Sequence, residues 1–316
     1  FGSMQNVNKV SDVVVFGGTH GNELSGICLV KKWLSGPPLQ SATCKVTATL
    51  CNPEAIRLCR RYKDCDINRQ FTRVDINKVT NAEENLPYEV KRAKELFSQY
   101  SDYSGERIIL DLHNTTANVK LCLIVEKPTD YFALHMCRYI QQHFSADFCH
   151  ILLQGKSYGD VRYIAKHGIG IEVGPQPHGV LRADIFDLQE KAVKLSLAFL
   201  DKFNNGDIFN PCEIVTYTQF KKVDFPRDHE GNIAGMIHLD LQDRDWQSVS
   251  GSSMVFRTFQ GDNVTLEDVV KIPDEIKDLV YPVFVNEASY YEKDLAFWLT
   301  KKATVALPIL KLNVLH

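Results

Sequence analysis

Residues 13–23 read VVVFGGTHGNE, and this stretch decides the fold that we expect for the chain. Its first four residues are an apolar run that predicts a buried strand, and the glycines after them allow a sharp backbone turn. The turn would bring His20 out at the edge of a sheet. Glu23 follows three residues later, where a helix should begin, so the two side chains can reach one ion.

The first two-thirds of the chain alternates short apolar runs with amphipathic stretches. Strands that alternate with helices of this length favour an α/β fold, with a mixed, mostly parallel sheet flanked by helices. The predicted strands cover residues 10–16, 45–51, 107–112, 121–125 and 168–173, and the predicted helices cover residues 24–34, 87–100, 130–143 and 182–204. In the second of these helices, we expect Tyr88, Val90, Ala93 and Leu96 to face inward.

The pattern changes after about residue 205. The segments NNG at 204–206 and NP at 210–211 are typical of a linker, and short β-rich runs separated by Asp, Gly, Asn and Pro follow them. We therefore expect two domains. A larger α/β domain would span residues 4–210, and a smaller β-rich C-terminal domain would span residues 211–316.

Composition excludes several functional classes. The 316 residues carry a formal net charge of -3, which is not the basic footprint of a nucleic-acid-binding protein. The longest apolar runs have the length of strands, so we expect no membrane span, and the polar residues after Met4 predict no signal peptide. The nine cysteines form no CxxC pair and their number is odd. We therefore expect free thiols and a cytoplasmic location.

A second histidine follows another apolar strand. The run at 108–112 leads into His113 within the segment DLHNTT, and ligand sites in α/β sheets gather beyond the carboxyl ends of strands. We therefore expect His113 to meet His20 and Glu23. Two imidazoles and one carboxylate leave a fourth zinc position open, which is typical of a catalytic site. Asp111 could orient one of these ligands.

An acidic residue, Glu172, interrupts the apolar segment IGIEV at 169–173. A buried carboxylate is costly unless it is paired or used in the chemistry. One interpretation is an ion pair between Glu172 and a nearby Lys or Arg. The functional interpretation is a general base that takes a proton from an activated water.

The segment RRYKDCDINR at 60–69 concentrates arginine and amide groups without helical or strand periodicity. The simplest interpretation is a solvated surface loop. Arginines also bind carboxylates and oxyanions in a fork geometry, and a hydrolase for an anionic substrate needs such groups. Tyr158 and Arg162 offer a second pair of this kind.

Five segments resemble the aspartoacylase and acylase III family of zinc carboxypeptidase-like deacylases. The resemblance extends from about Val10 to Leu312 and implies the fold of that superfamily. Its motifs are GGTHGNE at 17–23, the loop at 61–69 with DCDINR, LDLHNTT at 110–116, GIEVGPQPHGVLRAD at 170–184 and YPVFVNEASYYEK at 281–293.

The resemblance implies the roles of the central residues. One Zn²⁺ per subunit would be held by His20, Glu23 and His113. Glu172 would be the catalytic acid and base, and Arg61 would polarise the scissile carbonyl and stabilise the oxyanion. A hydrolase of linear amides is therefore expected, which releases a carboxylate and a free amino acid.

The resemblance also implies how a small anionic N-acyl amino acid is bound. The C-terminal domain would cap and narrow the cleft, with Glu287 and Tyr290 near the mouth, and the protein would be a homodimer or homotetramer. The α-carboxylate would be bound by Asn68 and Arg69, and the side-chain end of the pocket would be lined by Tyr158, Arg162 and Tyr290.

The resemblance leaves the substrate open between two branches. Arg162 stands where aspartoacylase meets the side-chain carboxylate, so we expect N-acetyl-L-aspartate to be the substrate. The alternative is an acylase III-type deacylase of N-acetyl aromatic amino acids and mercapturates, which are N-acetyl cysteine S-conjugates. The segments at 115–118 and 304–310 favour this alternative. A metallocarboxypeptidase and a non-catalytic binding protein are further rivals, which the arginine-rich loop and the complete set of key groups disfavour.

Overall fold

The computed structural model describes residues 4–71, 85–155, 159–273, 276 and 279–313. The helices within these ranges are α1 (Leu24–Ser35), α2 (Pro53–Leu58), α3 (Tyr88–Ser101), α4 (Tyr131–Gln141), α5 (Ala183–Asn204) and α6 (Leu266–Val269). The strands are β1 (Met4–Val7), β2 (Val10–Gly17), β3 (Lys45–Leu50), β4 (Glu106–Asn114), β5 (Lys120–Val125), β6 (Cys149–Leu153), β7 (His167–Gly174), β8 (Cys212–Val223), β9 (Gly235–Ile237), β10 (Met254–Thr258), β11 (Asn263–Thr265), β12 (Tyr281–Val283), β13 (Phe297–Leu307) and β14 (Ile309–Leu312).

A nine-stranded sheet in the described part of the chain runs in the order β12-β13-β8-β6-β5-β7-β4-β2-β3. Neighbours are parallel from β3 through β2 and β4 to β7, and again from β5 through β6 to β8. The pairs β5–β7, β8–β13 and β12–β13 are antiparallel. The prediction of a mixed, mostly parallel sheet is therefore confirmed.

Helices cover both faces of this sheet. On one face, α1, α4 and α5 pack over residues such as Val13 and Val15 of β2. On the other face, α3 packs Ala93 and Leu96 against Val14 of the same strand. Successive side chains of a strand point to opposite faces, so a strand that is covered on both sides reads as a continuous apolar run.

The β-rich segment after α5 contributes strands to three sheets, one of which is the parallel pair of β14 with β1. Strands β9, β10 and β11 form a small antiparallel sheet with its own apolar core, in agreement with the expected β-rich C-terminal domain. Strands β8, β12 and β13 instead complete the nine-stranded sheet. The division at residues 210 and 211 remains a prediction. No helix in the described ranges is both long and apolar enough to traverse a bilayer.

Two details of the sequence prediction were wrong. Strand β4 does not end at residue 112 but continues to Asn114, because residues 112–114 pair with residues 171–173 of β7. Tyr88 and Val90 of α3 are only half-buried. The buried residue at the start of α3 is Glu89, because its carboxylate accepts three backbone N–H bonds from residues 63–65 at 2.6–3.1 Å.

We expect Asn204→Ala to lower the free energy of unfolding by about 1–3 kcal/mol, measured by urea denaturation. The buried Asn204 side chain at the end of α5 accepts from the Val10 N–H at 3.1 Å and donates to the Val10 carbonyl at 2.7 Å. The substitution removes both hydrogen bonds at a buried site, where the Val10 carbonyl keeps the Cys44 thiol as a donor at 3.1 Å. Asn205→Ala, at the exposed next position, is the control, and an equal loss in both variants would contradict this account.

Candidate active site

Two glycines shape the turn that carries the first histidine. Gly18 has φ +71°, a left-handed conformation that favours glycine. A Cβ on Gly21 would lie 2.0 Å from the backbone of Ala55 in α2, so only glycine fits there. The chain therefore leaves β2, turns closely past α2 and presents His20 and Glu23 just before α1 begins.

His20, Glu23 and His113 converge as predicted. Nδ1 of His20 lies 2.6 Å from Oε1 of Glu23, and Nδ1 of His113 lies 2.9 Å from Oε2 of the same carboxylate. All three side chains are buried, and their potential ligand atoms lie within 4.8 Å of one another. Two imidazole nitrogens and one carboxylate oxygen at this spacing fit a divalent ion such as Zn²⁺.

Two aspartates contact the far nitrogens of these imidazoles. Nε2 of His113 lies 2.6 Å from Asp111, as the sequence suggested, and Nε2 of His20 lies 3.2 Å from Asp66. Carboxylates in this position orient a metal-binding histidine and leave its other nitrogen directed at the ion. Asp66 was not recognised from the sequence, although it lies within the quoted DCDINR segment.

Opposite charges meet at this centre and shift one another's pKa. Burial alone would raise the pKa of Glu23, but His20 and His113 hold this pKa well below its ordinary value. Burial alone would lower the pKa of His113, but Asp111 and Glu23 raise it well above its ordinary value. The raised pKa favours the protonated, positively charged form of His113 beside the Glu23 carboxylate.

Glu172 lies beside the metal-ligand set. It is the register partner of His113 on the neighbouring strand, so both side chains lie on the same face of the sheet at the cavity. Burial, together with the charges of Glu23 and Glu287, raises the pKa of Glu172 to about 8 against the opposing effect of His113. No ion pair to Glu172 is found among the described residues, so the ion-pair interpretation gains no support.

Arg61 faces the same centre from the arginine-rich loop. Its Nη2 lies 3.2 Å from Oδ2 of Asp66, and its Nη1 lies 3.5 Å from Oε1 of Glu23. These carboxylates raise the pKa of Arg61 against the effect of burial, so the guanidinium keeps its charge. The loop itself is held by the Glu89 carboxylate, and it is therefore not a freely solvated segment.

Asn68 and Arg69 both line the cavity, but their side chains differ in burial and in how many hydrogen bonds they already make. The Asn68 amide is buried and already bonded, since it donates to Asp111 at 3.3 Å and accepts from the Val161 N–H at 3.1 Å. Arg69 is exposed, and its Nη1 donates to the Asn68 carbonyl at 2.6 Å. The guanidinium of Arg69 is thus more available to an incoming anion than the Asn68 amide is.

The Arg162 side chain packs against β7 at two positions where that strand has glycine. A Cβ on Gly168 would lie 2.7 Å from Cβ of Arg162, and a Cβ on Gly170 would lie 3.3 Å from its Nη1. These glycines therefore leave the space in which the buried Arg162 side chain reaches the cavity. Tyr290 lines the cavity as well, whereas Tyr158 lies outside the described residues.

Glu287 is placed differently from the sequence expectation. It is buried rather than at the mouth, and it accepts from the Thr116 N–H at 2.7 Å and from the Thr115 hydroxyl. The hydrogen bonds from His178 and Thr115 lower the pKa of Glu287 to about 2 against the effect of burial. Glu287 thereby joins the C-terminal segment to the turn that follows His113.

The cavity that these residues enclose has a volume of about 170 Å³ and a mixed lining of charged, polar and apolar side chains. Its cationic side chains outnumber its carboxylates before any metal ion is added, which favours an anionic ligand. Lys222 and Lys293 were not recognised from the sequence, although Lys293 ends the segment quoted at 281–293. The cationic residues are Arg61, Arg69, Arg162, Lys222 and Lys293, and the acidic residues are Glu23, Asp160, Glu172 and Glu287.

Comparison with known proteins agrees with this architecture. The chain is 42% identical to the human N-acyl-aromatic-L-amino acid amidohydrolase (carboxylate-forming), over 94% of this chain and 92% of that protein. It is 41% identical to mouse aspartoacylase, over 97% of each chain. The crystal structure of murine aminoacylase 3 superposes with a TM-score of 0.87 at 38% identity, covering 97% of this chain and all of that one.

Two family models account for most of the length. The succinylglutamate desuccinylase/aspartoacylase catalytic domain matches residues 9–200, and the AstE/AspA barrel-sandwich hybrid domain matches residues 212–302. These matches agree with the order of an α/β part followed by a β-rich part. The chain therefore belongs to the succinylglutamate desuccinylase/aspartoacylase family.

Proposed function

We propose that this chain is a zinc-dependent deacylase that hydrolyses the amide bond of N-acyl amino acids, with N-acetyl-L-aspartate as the preferred substrate. The observation that carries the proposal is the convergence of His20, Glu23 and His113 beside Glu172 in a cation-rich cavity. The names of the relatives, aspartoacylase and N-acyl-aromatic-L-amino acid amidohydrolase, support the same reaction.

One Zn²⁺ per subunit would be held by His20, Glu23 and His113. Zinc in such a site supplies a Lewis acid that activates water for attack at neutral pH. The Asp66 and Asp111 carboxylates would keep the imidazole rings in the orientation that binding needs. The preference for zinc rests on the donor set of two imidazoles and one carboxylate.

Glu172 would accept a proton from the attacking water and return it to the amide nitrogen as the amine leaves. A base is most effective when its pKa lies near the working pH, and the raised pKa of Glu172 meets this condition. Arg61, whose charge is secured by Asp66, would donate hydrogen bonds to the developing oxyanion. Preorganised charge of this kind is often worth about 3 kcal/mol of transition-state stabilisation.

Arg69 and Asn68 would bind the α-carboxylate, with Arg69 as the main donor because the Asn68 amide already has two partners. Tyr158, Arg162 and Tyr290 would define the side-chain end of the pocket. Arg162 would meet the side-chain carboxylate of N-acetylaspartate, and this contact is the reason to rank that substrate first.

The alternative within the same reaction is an acylase III-type deacylase of N-acetyl aromatic amino acids and mercapturates. Sequence identity supports this alternative, since the chain is 42% identical to the human aromatic amidohydrolase and 41% identical to mouse aspartoacylase. The superposition on murine aminoacylase 3 points the same way.

We further propose that the protein acts in the cytoplasm as a homodimer or homotetramer, with residues 4–210 as the catalytic domain and residues 211–316 as a cap over the cleft. None of the nine cysteines, all of which lie in the described ranges, forms a disulfide, which favours a reducing compartment. Segments after residue 211 that line the cavity, such as Tyr290, support the capping role. A small anionic N-acyl amino acid is the proposed partner, with neither a nucleic acid nor a membrane span.

We expect the purified protein to contain one zinc ion per chain by mass spectrometry, and a chelator to abolish acetate release until Zn²⁺ is returned. His113→Ala should lose the metal, because two ligands hold a divalent ion far more weakly than three. His143→Ala, at an exposed histidine, is the matched control and should keep the metal. Full activity after complete metal removal would refute the proposed chemistry.

Glu172→Gln should lower kcat by about 100-fold or more while the zinc content stays at one per chain, because the amide cannot carry the proton. In the wild type, the acid limb of the kcat/KM profile should lie below pH 8. The pKa of Glu172 is about 8 without a metal, and a bound cation lowers the pKa of a neighbouring carboxyl group. Glu230→Gln, at an exposed glutamate, should leave both measurements unchanged.

An acetate-release assay on N-acetyl-L-aspartate and N-acetyl-L-tyrosine separates the two substrate branches. We expect the aspartate derivative to give the higher kcat/KM, because it adds a second carboxylate in a pocket with excess positive charge. A higher kcat/KM for the tyrosine derivative would leave the deacylase reaction in place and select the acylase III-type alternative.

A further inference from the structure

The side-chain end of the cavity contains a buried ion pair that lies within one short turn. Asp160 and Arg162 are 5% and 7% exposed, and both line the cavity. Nη2 of Arg162 lies 2.6 Å from Oδ2 of Asp160, and its Nε lies 3.2 Å from Oδ1. The carboxylate therefore binds the guanidinium through two donors, in the same fork geometry that a substrate carboxylate would use.

The protein already uses most of the hydrogen-bonding capacity of Arg162. Besides the two bonds to Asp160, Nη1 donates to the Ile124 carbonyl at 2.8 Å and Nη2 donates to Oε1 of Gln154 at 2.8 Å. A guanidinium has five N–H donors, so four are engaged by residues in the described ranges and, among these residues, none takes the fifth donor, on Nη1, which a ligand could use. A second carboxylate can then receive only one hydrogen bond from Arg162, in place of a bidentate pair.

The negative charge of Asp160 changes the free energy by which Arg162 discriminates between charged and uncharged substrates. An arginine without a buried counter-charge penalises an uncharged substrate, because binding would leave its charge desolvated and unpaired. Asp160 removes this penalty, since the pair stays neutral whatever side chain enters. It also weakens the attraction for a second carboxylate, because that carboxylate meets a neutral pair and not a free cation.

The surroundings of the pair suit uncharged side chains as well. Ile124, Phe284, Leu295 and Trp298 line the same cavity, and they offer apolar surface next to the polar groups. A side chain without charge would therefore find contacts there that do not depend on Arg162.

We propose that Asp160 is a specificity-determining residue that compensates Arg162 and thereby lowers the preference for anionic over uncharged substrate side chains. The enzyme then accepts N-acyl amino acids of both kinds. This inference rests on the deacylase function proposed above. Asp160 acts on substrate choice through Arg162, so its effect should appear mainly in KM for the anionic substrate.

The test compares N-acetyl-L-aspartate with N-acetyl-L-asparagine, which have nearly the same shape and differ in one carboxylate. In Asp160→Asn, the ratio of kcat/KM for aspartate over asparagine should rise about tenfold or more, mainly through a lower KM for the aspartate derivative. The substituted amide keeps the oxygen that accepts the Arg162 backbone N–H at 3.1 Å, so the turn retains this hydrogen bond.

Two further variants isolate the cause. Asp160→Asn/Arg162→Gln should lose the gain in the ratio, because no cation remains to attract the carboxylate. Asp184→Asn breaks a pair with the same spacing, in which Arg182 Nη2 lies 2.7 Å from Asp184 Oδ2, but this pair is exposed and lies outside the cavity. This control should leave the wild-type ratio unchanged.

A binding measurement keeps the test independent of turnover. The rise in Tm that L-aspartate produces, relative to L-asparagine, should be larger in Asp160→Asn than in the wild type. An unchanged ratio of kcat/KM together with an unchanged difference in Tm would overturn the role of Asp160. If the zinc-loaded wild type hydrolyses neither acetyl substrate, the deacylase function is overturned instead, and the Tm comparison still decides the inference.

Discussion

The contact on which the site depends is the Glu23 carboxylate between two imidazoles. One oxygen meets Nδ1 of His20 and the other meets Nδ1 of His113, although the two histidines are 93 positions apart in the sequence. Strands β2 and β4 are adjacent and parallel, with Gly17 opposite Leu112, so the two strands deliver their histidines to the same edge. A shift of register by one residue would turn His113 to the opposite face of the sheet.

Several charged groups are buried at this edge, and their arrangement explains how the fold accommodates them. Each imidazole contacts a carboxylate on both sides, and Asp111 additionally accepts from the Thr19 hydroxyl at 2.6 Å. Isolated buried charges cost several kcal/mol each, and pairing offsets much of that cost. A divalent cation at the centre would add positive charge between these carboxylates. Their number therefore favours a bound cation at this site.

The metal-ligand set could be predicted from the sequence although its members are distant along the chain, whereas most other long-range contacts of the site could not. Apolar runs that end in HGNE and DLHNTT predicted the metal-ligand set, because strand ends and histidines leave a local pattern. Glu89, Glu287 and Asp66 leave no such pattern, since their partners lie far away in sequence or follow from the course of a loop. The same holds for β8, β12 and β13, whose periodicity predicts strands but not the sheet that they join.

The C-terminal segment is coupled to the chemistry through Glu287. Its carboxylate binds the Thr115–Thr116 turn, which follows directly after the strand that carries His113. Tyr62 of the arginine-rich loop makes a second connection, because its hydroxyl donates to Glu292 at 3.0 Å. The segment 287–292 thus contacts both the Thr115–Thr116 turn beside the metal-ligand set and the arginine-rich loop. A displacement of this region would alter both sides of the cavity together, so the β-rich part is a structural component of the site and not only a cover over it.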